Sequence, residues 1–146
     1  SIFLFFAGCS SMQVTEEAVG DQSVSGVSIS SKSTSTKAVL ANAMIYFEYD
    51  QYNLTARSIQ ALKGVSKLMN DNPKIILSIE GHADERGTRE YNLALGQRRA
   101  ESVASYLVAS GTNKNRLVTK SFGEERPIAL GSNDSAWSKN RRVEIK

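Results

Sequence analysis

Charged and amide side chains gather in a polar loop, residues 81–88, and on the helix predicted to follow it. The two segments contain Asp84, Glu85, Arg86, Asn92, Arg98 and Arg99. On a helix, residues 92, 96 and 99 lie along one stripe, and side chains lean toward the helix N-terminus. The sequence therefore predicts that a carboxylate, Asp84, and a guanidinium, Arg99, face the same concavity.

Such a pair suits a ligand that carries both charges. The Asp84 carboxylate can accept hydrogen bonds from an ammonium group, and the Arg99 guanidinium can donate two parallel bonds to a carboxylate. Backbone N–H groups near Thr88 and Arg89 add donors at the helix N-terminus. Glycine costs a helix about 1 kcal/mol relative to alanine, so we interpret Gly96 as leaving an open floor. The alternative is an Asp84–Arg99 ion pair that only joins loop to helix, and the spacing favours neither.

Hydrophobic periodicity predicts the elements that position the loop. Alternation predicts strands at residues 43–49, 74–82 and 117–122 and around Val143 and Ile145. Helical spacing predicts helices over residues 54–70 and 89–110 and a helical turn at residues 136–140. The first helix begins at Asn53 or Thr55, and Gly111 closes the second. The order βαβαββ predicts an α+β fold, a two-layer sandwich with helices on one sheet face and water on the other.

The same patterns assign the buried faces. In the first strand Ala43, Ile45, Phe47 and Tyr49 alternate with Met44, Tyr46 and Glu48. The second helix directs inward Leu93, Ala100, Val103, Ala104 and Leu107. In the second strand Ser78, Glu80 and His82 are expected to face water.

Length and composition exclude several classes of protein. The 146 residues suffice for one domain and a tail, and 40% hydrophobic with 23% charged residues fits neither a fully disordered nor a multispanning chain. A net charge of +3 is too small to require nucleic acid. One cysteine and one histidine exclude an intramolecular disulfide and a cysteine-rich zinc site. We expect no cofactor and no metal.

The N-terminal residues predict a lipid anchor followed by a tether. Residues 1–9 look like the end of a signal peptide, too short to span a bilayer, and we expect the chain to begin inside a longer precursor. Residues 6–9, Phe-Ala-Gly-Cys, resemble the bacterial lipobox, with Phe6 where Leu is usual, so Cys9 is the expected lipidation site. A buried cysteine is the alternative. Residues 10–41, rich in Ser and Thr, predict a flexible tether, and residues 42–146 form the domain.

Several motifs together resemble the peptidoglycan-associated lipoproteins (Pal) of the Tol–Pal system, which carry an OmpA-like domain. They are Gly-His-Ala-Asp-Glu-Arg-Gly-Thr at 81–88, Glu-Tyr-Asn at 90–92, Leu-Gly at 95–96, Arg-Arg-Ala at 98–100 and Ser-Lys-Asn-Arg-Arg at 138–142. The similarity covers residues 43–146 and includes the lipobox-like cysteine. The chain departs from the Pal pattern at Arg89, where Pro is frequent, and at Glu48, where Asp is usual.

This resemblance implies non-covalent binding of the meso-diaminopimelate stem peptide of peptidoglycan. Asp84 and Arg99 would be the main ligand residues, with Asn92 holding the loop or the ligand. The remaining contacts implied are Arg86 and Thr88 (polar), Leu95 (against the aliphatic chain), and Asp50 with Tyr49 (closing the pocket). Residues 138–142 are expected to brace the last strand. The resemblance also implies attachment to the outer membrane through acylated Cys9, a domain facing the periplasm, a role in cell division, and competition by a TolB-like β-propeller protein for the same surface.

Three rival functions are weaker. A peptidoglycan hydrolase would need Asp84 and Glu85 to share a substrate, but adjacent residues point to opposite sides, and His82 lacks a partner. A flagellar stator subunit needs a transmembrane helix at its start. The cations Lys139, Arg141 and Arg142 are too few for a nucleic-acid surface. We therefore expect a binding protein that is not an enzyme and does not bind nucleic acid.

Overall fold

The computed structural model describes residues 36–40 and 43–146. Residues 36–40 are helical, and every element named below belongs to the unit Ala38–Lys146. The predictions for Cys9 and for most of the tether lie outside the described residues.

Strands and helices alternate along the described chain. They are β1 (Ile45–Tyr46), α1 (Ala56–Asp71), β2 (Leu77–His82), α2 (Arg89–Ala109), β3 (Leu117–Gly123), α3 (Asp134–Asn140) and β4 (Arg142–Ile145), with a 3-10 turn at Lys114–Arg116. The sheet has the order β1-β4-β2-β3, in which β2 and β3 are parallel and β4 is antiparallel to both of its neighbours. The predicted α+β class is confirmed, and the turn predicted at residues 136–140 is the larger part of α3.

Side-chain caps begin both long helices. Thr55 Oγ1 accepts a hydrogen bond from the Ser58 N–H at 3.2 Å, and Thr88 Oγ1 accepts one from the Tyr91 N–H at 3.1 Å. After α2 the chain turns through Gly111, whose φ of 109° lies in the region that favours glycine. The predicted start of α1 at Thr55 and the end of α2 before Gly111 are confirmed.

The core lies between the helices and one face of the sheet. Its buried members are Ala43, Ile45, Phe47, Leu62, Val65, Met69, Leu77, Ile79, Ala100, Val103, Leu107, Val143 and Ile145. One predicted strand boundary and one inward assignment are wrong. Tyr49 is 57% exposed because β1 ends at Tyr46, and Asp50 has a φ of 58° that breaks the extended backbone. Leu93 is 36% exposed because Asn92, Leu95 and Arg99 occupy the buried stripe of α2.

Two glycines allow α2 to touch the sheet backbone. A Cβ atom added to Gly81 on β2 would lie 1.8 Å from the Gly96 carbonyl oxygen, and one added to Gly96 would lie 2.3 Å from Ser121 Oγ. The interpretation of Gly96 as an open floor is therefore wrong. Glycine is needed at this position because the helix and the strand are in direct contact.

The second face of the sheet is covered at its His82 end. His82 and Glu80 are buried, and the His82 ring stacks on the Phe122 ring with centroids 5.5 Å apart. Arg142 of β4 lies beside them and donates to the Arg126 carbonyl at 2.9 Å. The prediction that this face meets water is wrong here, because the segment after β3 folds back over it.

Candidate functional site

A pocket of about 240 Å³ opens where β2 ends, between the polar loop and α2. Its lining residues are Tyr49, Asp50, Ala83, Asp84, Arg86, Gly87, Tyr91, Asn92, Leu95 and Arg99. The structure thus brings seven of the eight predicted contact residues together. The eighth, Thr88, is the N-cap of α2 and does not line the pocket.

Arg99 forms a buried positive charge in the pocket wall, with 0% of its surface exposed. Its guanidinium donates to three backbone carbonyls, those of Gln51 (2.8 Å from Nε), His82 (2.8 Å from Nη1) and Glu48 (3.1 Å from Nη2). Burial and the nearby Arg141 lower the pKa of Arg99 to about 10, so the group stays charged at neutral pH. Because a guanidinium has five N–H groups, two remain for a ligand.

Asp84 supplies the opposite charge. Its Oδ1 accepts from the Arg86 backbone N–H at 3.0 Å and from Arg86 Nε at 3.1 Å, while Oδ2 accepts from Arg86 Nη2 at 3.0 Å. Arg141 Nη1 approaches Oδ2 at 3.4 Å. Burial by itself raises the pKa of Asp84, but the hydrogen bonds from Arg86 and Arg141 outweigh burial and leave the pKa below its usual value. The carboxylate is therefore ionised at neutral pH.

The predicted alternative of an Asp84–Arg99 ion pair is wrong. Within residues 36–40 and 43–146, Asp84 pairs with Arg86 and Arg141, and Arg99 forms no ion pair. Backbone carbonyls hold Arg99 instead, and no carboxylate of the described residues is in direct contact with its guanidinium.

Asn92 fastens the polar loop to α2. Its side-chain N–H₂ group donates to the carbonyl oxygens of Asp84 (3.1 Å) and Arg86 (3.2 Å) and to Glu124 Oε1 (3.1 Å). The residue is buried, which makes these bonds costly to lose. Asn92 thereby fixes the backbone on either side of Glu85.

Arg86 lies between two aromatic rings. Its guanidinium carbon is 4.1 Å from the Tyr49 ring centroid and 4.0 Å from the Trp137 ring centroid. The Trp137 indole N–H donates to Glu85 Oε1 at 3.0 Å, and Ser132 Oγ donates to the same oxygen. Glu85 therefore faces away from the pocket.

The rim of the pocket is closed by a hydroxyl–carboxylate contact. The Tyr91 hydroxyl on α2 donates to Asp50 Oδ1 across 41 residues of sequence. This bond and partial burial raise the pKa of Tyr91 above its usual value. Leu95 contributes an apolar wall beside Arg99.

The arrangement offers binding groups but not an assembled acid and base. Neither Glu85 nor His82 lines the pocket, so the pairs considered for hydrolysis are not brought together. In the described part of the chain there is no cluster of three or more potential metal ligands. No helix among the described residues is long and apolar enough to cross a membrane.

Three residues near the pocket were missed by the sequence reasoning. Tyr91 stood in a motif without an assigned role, and Arg141 was assigned only to bracing. Arg141 does brace β1, through Nε to the Phe47 carbonyl at 2.9 Å, but it also reaches Asp84. No sequence pattern pointed to Trp137, because its contacts depend on how α3 packs against the polar loop.

Comparison with known proteins places these residues in a family. The chain matches the OmpA family over residues 46–141. A "Peptidoglycan-associated lipoprotein" of Brucella melitensis biotype 1 (strain ATCC 23456 / CCUG 17765 / NCTC 10094 / 16M) is 40% identical over 96% of this chain and 83% of that protein. The protein of the same name from Haemophilus influenzae (strain ATCC 51907 / DSM 11121 / KW20 / Rd) is 46% identical over 68% of this chain, and the match spans less than two thirds (65%) of that relative.

Solved structures agree with the sequence comparison. The peptidoglycan-associated lipoprotein from Burkholderia pseudomallei superposes with a TM-score of 0.71 at 37% identity, over 73% of this chain and 91% of that one. The C-terminal domain of Helicobacter pylori MotB superposes with a TM-score of 0.65 at 26% identity, over 70% of this chain and 81% of that domain. The fold is thus common to both groups, whereas the sequence is more similar to the lipoprotein.

Proposed function

Because the chain belongs to the OmpA family, and within it to the peptidoglycan-associated lipoproteins, we propose that it binds peptidoglycan non-covalently through the pocket. The ligand group is the zwitterionic end of the meso-diaminopimelate residue in the stem peptide. The observation that carries the proposal is Arg99, a buried charge with no carboxylate partner among the described residues, in the same pocket as the ionised Asp84.

Each side of the pocket matches one part of that group. The Asp84 carboxylate accepts hydrogen bonds from the ligand ammonium, and the two remaining N–H groups of Arg99 donate to its carboxylate. Leu95 contacts the aliphatic chain, while Asn92 acts through the loop that it fastens. A pocket of about 240 Å³ is smaller than the roughly 300–1,000 Å³ of sites for drug-sized ligands, which favours one amino-acid-sized group.

The remaining predicted contacts act at the edge of the pocket. Arg86 adds a cation beside Asp84, and Tyr49 and Asp50 form the rim. Thr88 acts indirectly, by capping the helix that carries Asn92 and Arg99. We propose no catalytic step for any of these residues.

The proposal extends to the anchor. Acylated Cys9 would hold the protein in the outer membrane with the domain facing the periplasm, and the part of residues 10–41 that precedes the helix at residues 36–40 would act as a spacer. Each buried methylene of an acyl chain contributes about 0.8 kcal/mol, so two or three chains hold a protein stably. The protein would thereby tether the outer membrane to the cell wall in a Tol–Pal-like division system, where a TolB-like protein competes for the pocket surface.

Sedimentation with purified peptidoglycan tests the pocket. With the full chain, Asp84→Asn should lower the affinity by an amount that corresponds to about 2–5 kcal/mol, because the ligand ammonium loses its counter-charge. Free meso-diaminopimelate should displace the parent protein. Asp71→Asn, at an exposed carboxylate that pairs with Lys67 on α1, is the matched control and should bind like the parent. A folded Asp84→Asn variant that sediments as well as the parent would refute the proposal.

Mass spectrometry tests the anchor. When the chain is exported in a Gram-negative host, the parent should carry acyl chains on Cys9, and Cys9→Ser should carry none. An acylated N-terminus in the Cys9→Ser variant would contradict this assignment.

A further inference from the structure

A three-layer stack supports the carboxylate side of the pocket. The Arg86 guanidinium lies between the Tyr49 and Trp137 rings, 4.1 and 4.0 Å from their centroids. In this position it presents Nε and Nη2 to the two oxygens of Asp84, at 3.1 and 3.0 Å. The stack therefore fixes the plane in which Arg86 meets Asp84.

Trp137 is itself held from two directions. Its indole N–H donates to Glu85 Oε1, which also accepts from Ser132. Its helix, α3, is anchored by the buried Asn140, whose Oδ1 accepts from the Ile128 and Ala129 N–H groups at 2.8 and 3.1 Å. The ring is thus placed by contacts that do not involve the pocket.

Tyr49 is a less constrained partner. It is 57% exposed and lies just outside β1, next to Asp50 with its left-handed backbone. Between the two rings that cover Arg86, Trp137 is the one attached to an anchored helix. Trp137 does not line the pocket, so an effect of this residue on the ligand must pass through Arg86.

We propose that Trp137 is a positioning residue, which holds Arg86 flat against Asp84 and thereby sets the orientation of the carboxylate that receives the ligand ammonium. This inference rests on the proposed function of the pocket. Without Trp137, Arg86 can rotate away from the plane of the carboxylate, and Asp84 loses its best-aligned donors. A ring that only covered apolar surface would have no effect on Asp84.

Two measurements on the full chain test the role. The first is the titration of the Asp84 carboxyl by carbon-13 NMR without ligand, where Arg86, Arg141, Arg99 and the neighbouring Glu85 are the charges that act on the group. The second is the affinity for free meso-diaminopimelate. In Trp137→Ala we expect Asp84 to titrate at a higher pH and the affinity to fall about fivefold, the scale of one cation–π contact.

Matched variants separate positioning from folding. Trp137→Phe keeps a ring over Arg86 and should restore most of both quantities, whereas Trp137→Leu keeps an apolar side chain without an aromatic face and should behave like Trp137→Ala. Tyr52→Ala is the control, since Tyr52 also stacks on an arginine, Arg98, at 5.6 Å, and neither residue lines the pocket. If Trp137→Ala does not fold, Trp137→Leu, which leaves a smaller cavity, decides.

The outcomes are distinct. A raised titration midpoint that Trp137→Phe reverses supports the positioning role. An Asp84 titration unchanged in Trp137→Ala, or in Trp137→Leu where that variant must decide, overturns it, even if ligand binding weakens. If Asp84→Asn binds as the parent does, the proposed function fails, but the NMR titration still tests Trp137.

Discussion

Two fully buried arginines lie in different regions near the end of the sheet and have different kinds of hydrogen-bond partner. Arg142, 1% exposed on the second face, donates to the Glu144 carboxylate through Nε at 3.0 Å and through Nη2. Arg99, 0% exposed in the pocket wall, donates only to backbone carbonyls. His82 belongs to both regions, since its carbonyl binds Arg99 and its ring lies near Glu144.

The difference separates a structural charge from one available to a ligand. Arg142 has an ionised partner whose pKa lies below its usual value: burial opposes this shift, and the bonds from Arg142 outweigh it. Arg99 has polar partners and feels the charges of Asp84 and Asp50, but it forms no ion pair with either, so two of its N–H groups remain for a carboxylate that enters the pocket. A buried guanidinium without an ion-pair partner, beside an open pocket, is therefore a stronger sign of a ligand than a buried ion pair.

The largest expected effect on stability is on the second face of the sheet. Arg142→Ala leaves Glu144 without its main partner and should lower the free energy of unfolding by about 3 kcal/mol, the lower end for a broken buried pair. Lys146, 3.8 Å from Glu144, compensates part of the loss. Urea denaturation measures the change, and peptidoglycan affinity per folded molecule should stay that of the parent. A stable variant with weakened binding would show that the two regions are not separable.

The converse variant is Arg99→Ala. It removes the ligand's counter-charge and should lower peptidoglycan affinity by about 2–5 kcal/mol, while the free energy of unfolding should fall by less than in Arg142→Ala. Water can enter from the pocket and bind the freed carbonyls, which limits that loss. Calorimetry measures the change in affinity, and urea denaturation measures the change in the free energy of unfolding. Equal losses of stability with unchanged binding would assign Arg99 to the fold alone.

Protonation of His82 is expected to have an intermediate effect on the free energy of unfolding. Its Nε2 lies 3.3 Å from Glu144 Oε2 without hydrogen-bond alignment, so neither ring nitrogen has a hydrogen-bond partner within the described residues. Burial, and then Arg142, lower the pKa of His82 from 6.5 to about 4. Only the unfolded chain binds this proton between those values, so the free energy of unfolding should fall as pH drops from about 6.5 to 4, by about 2–3 kcal/mol.

The loss of stability between pH 6.5 and 4.5 can be assigned to His82 by substitution. Carboxylates with lowered pKa values, Glu144 and Asp84, add their own loss only below about pH 4.5. His82→Phe keeps a ring against Phe122 and should flatten the dependence between pH 6.5 and 4.5. Denaturation at several pH values measures it. A parent protein of constant stability over that window would contradict the burial of a neutral imidazole.

Local features of this fold could be predicted from the sequence, and long-range ones could not. Thr55, Thr88 and Gly111 act on their own turn of chain, so the helix ends were predictable. The stripe that carries Asn92 and Arg99 follows from helical periodicity alone. Strand order is different, because β4, the last strand in the chain, lies between β1 and β2, and no local pattern specifies that insertion.

The site was predictable in its members but not in its pairings. The spacing correctly predicted that Asp84 and Arg99 share one pocket. The alternative of a direct ion pair was wrong because Arg99 donates instead to the carbonyls of Glu48 and Gln51, about fifty residues away in sequence. Trp137 contacts Glu85 across 52 residues. Such contacts depend on tertiary packing, which sequence periodicity does not encode.

The smallest expected effect sharpens the contrast between the two arginines. Asp50 lines the same pocket as Arg99, but the Tyr91 hydroxyl occupies its Oδ1. Tyr91→Phe removes this donor while keeping the ring, so Asp50 is free to approach Arg99 and compensate its charge as Glu144 compensates Arg142. Peptidoglycan affinity should then fall by about 0.5–1 kcal/mol, the scale of one hydrogen bond, with the melting temperature nearly unchanged because Tyr91 is exposed. In Tyr91→Phe combined with Asp50→Asn the competing charge is absent, so the affinity should recover. If the double variant binds more weakly than Tyr91→Phe alone, Asp50 contacts the ligand directly and is not held away from Arg99 by Tyr91.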